Sequence, residues 1–185
     1  MPTPSETTGL ILAGGASRRF GRDKALAEHG GVPFVALVRA ALAAHADAVL
    51  IATGAEARAY PVAARVVLDP VLDAGPLGGL AAGLAVAETP WLLAAAVDLP
   101  FLTPAALAPL LGAVPEAVDA VVATDADGRR QPTVALWRVR SVAPVVQAHL
   151  AAGRLALHAL LDALAIREVR VGGGALRNVN RPGDL

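Results

Sequence analysis

A chain of 185 residues, 55% hydrophobic and 17% charged, is long enough for one domain with a sizeable core, short for two, and too apolar to stay disordered. Sixteen basic residues cancel sixteen acidic ones and aromatics make up 3%, which argues against a nucleic-acid or membrane-surface protein held by bulk charge or base stacking. The absence of cysteine removes disulfides, thiolate metal ligands and cysteine nucleophiles, and fits a reducing compartment.

Mean hydropathy is high at +0.55, yet the apolar stretches are interrupted. The stretch 74–87 is glycine-rich and ends at Glu88, and WLLAAAV ends at Asp98. Neither reaches the roughly 18 residues of a spanning helix. The start, MPTPSETTG, lacks the basic opening of a signal peptide. The expectation is a cytoplasmic domain with no membrane and no nucleic-acid partner.

In chain order, GLILA (9–13) is a short apolar run bounded by Gly14 and Gly15, as suits a buried parallel strand. PFVALVRAALAAH (33–45) carries apolar residues at helical spacing behind a proline. AVLIAT (48–53) and ARVVLD (64–69) read as strands, PLGGLAAGLAVAE (76–88) as a helix despite its glycines, and WLLAAAV (91–97) as a strand. TPAALAPLLGAV (103–114) opens a helix with Thr103 as N-cap and Pro104 at the first helical position. AVDAVVAT (117–124) and PTVALW (132–137) are strands flanking the turn DADGRR, followed by helices over 141–152 and 154–165 and a strand at 167–171. Strands alternating with helices predict a single-domain α/β three-layer sandwich, its mostly parallel sheet made mixed by an antiparallel pair around DADGRR.

The loop 14–24 follows the first strand, within LAGGASRRFGRDK (12–24). Three arginines and a lysine after a glycine pair read either as a solvated basic loop or as a cradle for an anion. Glycines let backbone N–H groups converge on an oxyanion, arginines add planar paired donors, and Lys24 adds a mobile point charge. The G-K-[ST] ending of a Walker A loop is missing, and so is the third glycine of the dinucleotide fingerprint. GGGA (172–175) matches neither and reads as an ordinary loop.

Two strand-end aspartates favour the cradle. Asp69 closes ARVVLD and Asp98 closes WLLAAAVD, both on the edge where the 14–24 loop emerges. Each is followed closely by proline, which stiffens the backbone beneath it. Mg²⁺ binds through one or two such carboxylates plus substrate phosphates. The competing reading of Asp69 is a helix cap, and Asp73 reads as a turn residue. DAGPLGGLAAG (73–83) either admits a base or ribose to the backbone or serves close helix packing. His29, His45, His149 and His158 show no metal-ligand or nucleophile spacing and read as structural.

Five blocks in order resemble the molybdenum cofactor guanylyltransferases. LAGGASRRFGRDK is similar to their L-A-G-G-x-S-x-R-M-G-x-D-K, with Phe20 for methionine. DPVLDAGPLGGLAAGL (69–84), VDLPFL (97–102), QPTVALW (131–137) and NVNRPGDL (178–185) are similar to D-x…G-P-L-x-G, C-D-x-P-F, H-P-x-x-A-L-W/Y and N-[IV]-N-T-P-E-D-L. The resemblance implies a Rossmann-like nucleotidyltransferase that moves GMP from Mg·GTP onto the terminal phosphate of molybdopterin, with release of pyrophosphate. By the same resemblance, Leu12, Ala13, Gly14, Gly15, Lys24, Asp69 and Asp98 bind the nucleotide. Arg19, Lys24 and Asp98 are catalytic, Asp98 holds Mg²⁺, and Asn178 and Asn180 face the pterin. The N-terminal half then carries the nucleotide and the C-terminal part the acceptor. Molybdenum-insertion proteins and molybdoenzymes are the candidate protein partners.

The match has a departure. Ala52, followed by Thr53, stands where the family often has an asparagine that helps read guanine, so a CTP-using sister enzyme stays open. LAGG favours GTP over the sister's L-A-A-G. A sugar- or lipid-precursor nucleotidyltransferase and a non-catalytic carrier are the remaining readings, and intact Asp69, Asp98 and Lys24 favour an enzyme.

Overall fold

The computed structural model describes residues 1–14, 23–112 and 114–184. Gly15 and Arg19, two of the expected site residues, lie outside them.

Fourteen elements follow in order: β1 (Thr7–Leu12), β2 (Glu28–His29), β3 (Val32–Pro33), α1 (Phe34–Ala43), β4 (Ala48–Ala52), β5 (Arg65–Val67), α2 (Gly75–Val86), β6 (Trp91–Ala96), α3 (Pro104–Gly112), β7 (Ala120–Thr124), β8 (Arg130–Arg138), α4 (Val139–Ala151), α5 (Leu157–Leu161) and β9 (Ile166–Arg170). Seven strands form one sheet in the order β5-β4-β1-β6-β8-β7-β9. Only β8 runs against its neighbours, so the sheet is mixed as expected, with β8 antiparallel to both β6 and β7.

Central β1 is buried along its whole length, which is why residues 9–12 are apolar on both faces, while the buried hydroxyls of Thr7 and Thr8 bond to Thr3 O and to the Thr89 hydroxyl. Leu10 and Leu12 point into a core shared with α2, α4 and α5, while Ile11 points into the core beneath α1 and α3. Period-2 alternation thus feeds two cores from one strand and produces the three layers.

The glycines of α2 have a packing cause. A Cβ on Gly83 would sit 2.6 Å from Leu10 Cδ2, and one on Gly79 would sit 3.0 Å from Leu12 Cδ2. The helix axis therefore rests closer to the sheet than a helix of larger residues could.

Three local features depart from expectation. The helix expected over 154–165 shrinks to α5, which starts only after the extended Ala156, while Gly153 with a φ of 67 closes α4. An additional hairpin, β2–β3, turns on Gly30 and Gly31 with φ of 60 and 77, the two positive values a tight hairpin turn needs. Finally, β8 slips register: Ala135 faces Val122 but Gln131 faces Ala123. Residues 132–134 bulge out of the ladder there, and β6 pairs with β8 only as far as Ala94. Thr103 caps α3 as expected, its hydroxyl accepting from the Ala106 N–H at 3.2 Å. Among the described residues, no helix is long and apolar enough to cross a membrane.

Candidate active site

The chain leaves β1 toward the β4 edge and leaves β6 toward the β7 edge, which opens a crevice at the carboxyl ends of these two adjacent strands. Its floor is stiff. Ala13 N–H donates to Ala52 O at 2.8 Å, and Val97 N–H donates to Leu12 O at 3.1 Å, carrying the ladder past the formal ends of the strands. Gly14 then passes the β4–β5 connection so closely that a Cβ on it would lie 2.9 Å from Gly54 N. Only glycine allows that approach.

A cavity of about 240 Å³ sits here, lined by Leu12, Ala13, Gly14, Lys24, Asp98, Thr133 and Asn178 among others. Lys24 reaches across it. Its Nζ lies 3.4 Å from Asp98 Oδ2 and donates to Asn180 Oδ1 at 2.7 Å. Both ion-pair partners are mostly buried, with side chains 17% and 22% exposed. Asp98 Oδ1 is buried with no hydrogen-bond partner among the described residues. The Asp98 carbonyl accepts Val179 N–H at 2.9 Å, pinning the C-terminal segment against the end of β6. Asp184 completes that segment, its Oδ2 accepting Asn180 N–H at 2.7 Å and Arg181 N–H at 2.8 Å. These bonds hold the Asp184 carboxyl below its ordinary range.

Asp69 stands apart from this group. It borders a second cavity of about 450 Å³ between the β4–β5 connection and the start of α2, with Thr53, Gly54, Glu56, Arg58, Leu72 and Asp73 on its walls. The Asp69 side chain does not cap α2, and its Oδ1 is buried without a hydrogen-bond partner among the described residues. Burial raises its pKa, against the lowering effect of the Gly54 backbone contact. A Cβ on Gly78 would lie 2.8 Å from Asp69 Oδ2, so this glycine makes room for the carboxylate. Asp73 is the one described non-glycine residue at positive φ, 54, on the turn into α2.

Ala52 and Thr53, which stand where the family often has a guanine-reading asparagine, turn inward. Ala52 is fully buried under α2, and a Cβ on Gly79 would meet its Cβ at 3.1 Å. Thr53 is 1% exposed and spends its hydroxyl on Glu56 O at 2.7 Å.

Thus Leu12, Ala13, Gly14, Lys24, Asp98, Asn178 and Asn180 gather at the first cavity, while Asp69 lies at the second. Two further residues are given no role by the sequence. Thr133 reaches the first cavity through the β8 bulge, signalled only by Pro132, which cannot donate to a ladder. Asp23 caps the short 3₁₀ turn Lys24–Leu26, its carboxylate accepting Ala25 N–H at 3.0 Å. The four histidines stay outside this geometry, and the described residues contain no group of three or more His, Cys, Asp or Glu able to share a metal.

A family model described as the MobA-like NTP transferase domain matches residues 9–169. A molybdenum cofactor guanylyltransferase of Cupriavidus metallidurans is 44% identical over 138 residues, 71% of this chain and 68% of its own. Another, of Pseudomonas paraeruginosa, is 35% identical over 178 residues, covering 94% of this chain and 89% of its own. The crystal structure of molybdopterin-guanine dinucleotide biosynthesis protein A from Archaeoglobus fulgidus superposes with a TM-score of 0.74 at 19% identity, covering 96% and 94% of the two chains, and shares the fold. Matches of this extent place the chain in the MobA-like nucleotidyltransferase family, among the molybdenum cofactor guanylyltransferases.

Proposed function

We propose that the protein transfers GMP from Mg·GTP to the terminal phosphate of molybdopterin, releasing pyrophosphate and forming the guanine dinucleotide. The observation that carries this reading is the meeting of Lys24 and Asp98, 3.4 Å apart, over the backbone of Leu12–Gly14. A cation and a carboxylate at that point suit a metal-bound polyphosphate better than a neutral ligand.

The reaction forms a bond from an acceptor phosphate oxygen to the α-phosphorus and breaks the α–β bridge. The nucleophile is already an anion, so no strong general base is required, and catalysis consists of alignment and charge neutralisation. The backbone of Leu12–Gly14 meets the nucleotide, and the Lys24 ammonium binds the phosphates. Asp69 and the second cavity take the nucleoside, and Asn178 and Asn180 orient the acceptor. Arg19, outside the described residues, is assigned to the phosphates by its place in the signature.

The unpartnered buried Oδ1 of Asp98 fits a magnesium ligand, and a lone carboxylate is the donor set for an ion that keeps waters and substrate phosphates. Magnesium bound there supplies a divalent counter-charge to the α-phosphate and the departing pyrophosphate.

A thermal-shift panel with Mg²⁺ and GTP, CTP, ATP or UTP tests the reading. A ligand at 100 times Kd adds about 2.7 kcal/mol, or roughly 5–10 °C for a domain of this size. The expected result is a magnesium-dependent rise with GTP. A rise confined to CTP would transfer the assignment to the cytidylyltransferase.

A further inference from the structure

Lys24 is the sole lysine of the chain, and its ammonium spans the site. Its backbone is set by the turn it opens. Asp23 Oδ1 accepts Ala25 N–H at 3.0 Å, Leu26 N–H returns to Asp23 O at 3.1 Å, and Ala25 is wholly buried. The other carboxylate oxygen faces away from the turn. Asp23 Oδ2 accepts the Tyr60 hydroxyl at 3.1 Å and Arg58 Nη1 at 3.3 Å. Both donors come from the β4–β5 connection, and Arg58 itself lines the second cavity.

From this geometry we propose that Asp23 is a positioning residue for Lys24. It ties the turn that carries the ammonium to the wall of the nucleoside cavity. The pair of partners is suited to the task. Burial and the Asp23 charge push the Tyr60 hydroxyl up to about 12, so it remains a donor at every working pH. The Arg58 guanidinium is permanently charged. The carboxylate, 18% exposed, thus receives three donors, one from its own turn and two from the opposite wall. A nucleoside that fills the second cavity and orders its wall steadies Asp23, and through Asp23 it steadies Lys24 over the phosphates. Binding of one end of the nucleotide then prepares the cation needed at the other end. This rests on the nucleotide reading given above.

The sole lysine makes the test direct. Lysine labelled with ¹³C at Cε gives one side-chain signal, which reports Lys24 without any substrate. Asp23→Asn keeps a good N-cap, so the turn survives, but removes the charge facing Arg58. Tyr60→Phe removes one hydroxyl donor and nothing else. The expected result is that the lysine signal moves in both variants. Calorimetry of Mg·GTP adds a cycle. Asp23→Asn is expected to bind about tenfold more weakly than the parent chain, and to cause less than about a twofold further loss in a Lys24→Ala background. The proposal is overturned if the lysine signal is unchanged in both variants, or if Asp23→Asn costs the same factor with and without Lys24. Should the parent chain bind no GTP at all, the functional reading fails, and the lysine signal alone still decides the role of Asp23.

Discussion

Lys24 and Asn180 lie 156 positions apart in sequence, yet the lysine ammonium donates to the asparagine Oδ1 at 2.7 Å. The contact joins the phosphate-side loop to the C-terminal segment assigned to the acceptor. The same ammonium is 3.4 Å from Asp98, so one cation touches the groups assigned to both substrates and to the metal. Removing it is expected to weaken Mg·GTP binding about tenfold in the Lys24→Ala variant, as befits a largely buried charge-assisted contact. Isothermal calorimetry measures this, and unchanged affinity would refute the placement.

Asp98→Ala is expected to lower turnover by roughly 10³-fold or more, by analogy with other phosphoryl-transfer sites. The fold is expected to survive, because the lost Oδ1 has no partner among the described residues. Pyrophosphate release and thermal melting of the same preparation check both halves. Near-normal turnover in Mg²⁺ would remove Asp98 from the metal site.

Two glycines of α2 predict contrasting defects. Gly83→Ala drives a methyl to within 2.6 Å of Leu10 Cδ2 in the core and is expected to cost about 1–3 kcal/mol of stability. Gly78→Ala instead meets Asp69 Oδ2 at 2.8 Å and is expected to raise the nucleotide Kd as well. Denaturant melts and nucleotide titrations of both variants separate these effects.

Asp69 gives a pH dependence. Its folded pKa is raised above the ordinary 3.8, so between these values the native state holds the extra proton and stability falls as pH rises. Above the raised value the full cost of the buried charge persists. Asp69→Asn is therefore expected to melt higher at neutral pH, to lose that dependence on the acid side, and to bind nucleotide less well. Melting curves from pH 3 to 8 would contradict this if parent and variant ran parallel.

Thr133 is presented to the first cavity by the bulge in β8. Thr133→Val keeps the shape and removes the hydroxyl, and is expected to reduce kcat/KM severalfold, with Thr133→Ser restoring it. Equal values for the valine variant would make the bulge a packing feature.

Much of the fold was legible in the sequence because buried parallel strands carry continuous apolar runs, as in GLILA (9–13) and WLLAAAV (91–97). The β2–β3 hairpin was not, since two-residue strands carry no periodicity, although its Gly30-Gly31 turn is a recognisable mark. The α2 glycines gave no choice between ligand approach and packing. The structure assigns Gly79 and Gly83 to packing on Leu12 and Leu10, and Gly78 to the space around Asp69. Among site residues, Lys24 and the two strand-end aspartates announced themselves by charge beside apolar runs. Asn178 and Asn180 came from family resemblance alone, because a contact across 156 residues leaves no local pattern. Asp23 stands in the signature block, but its role is not legible there, because its partners Arg58 and Tyr60 lie 35 and 37 residues away.

The most direct test of the central claim is a turnover assay with purified protein, molybdopterin, Mg²⁺ and either GTP or CTP, following pyrophosphate and the dinucleotide together. The expected products are guanine dinucleotide and pyrophosphate in equal amounts, with GTP strongly preferred. Cytosine dinucleotide as the main product, or no dinucleotide from a protein that binds Mg·GTP, would contradict that claim.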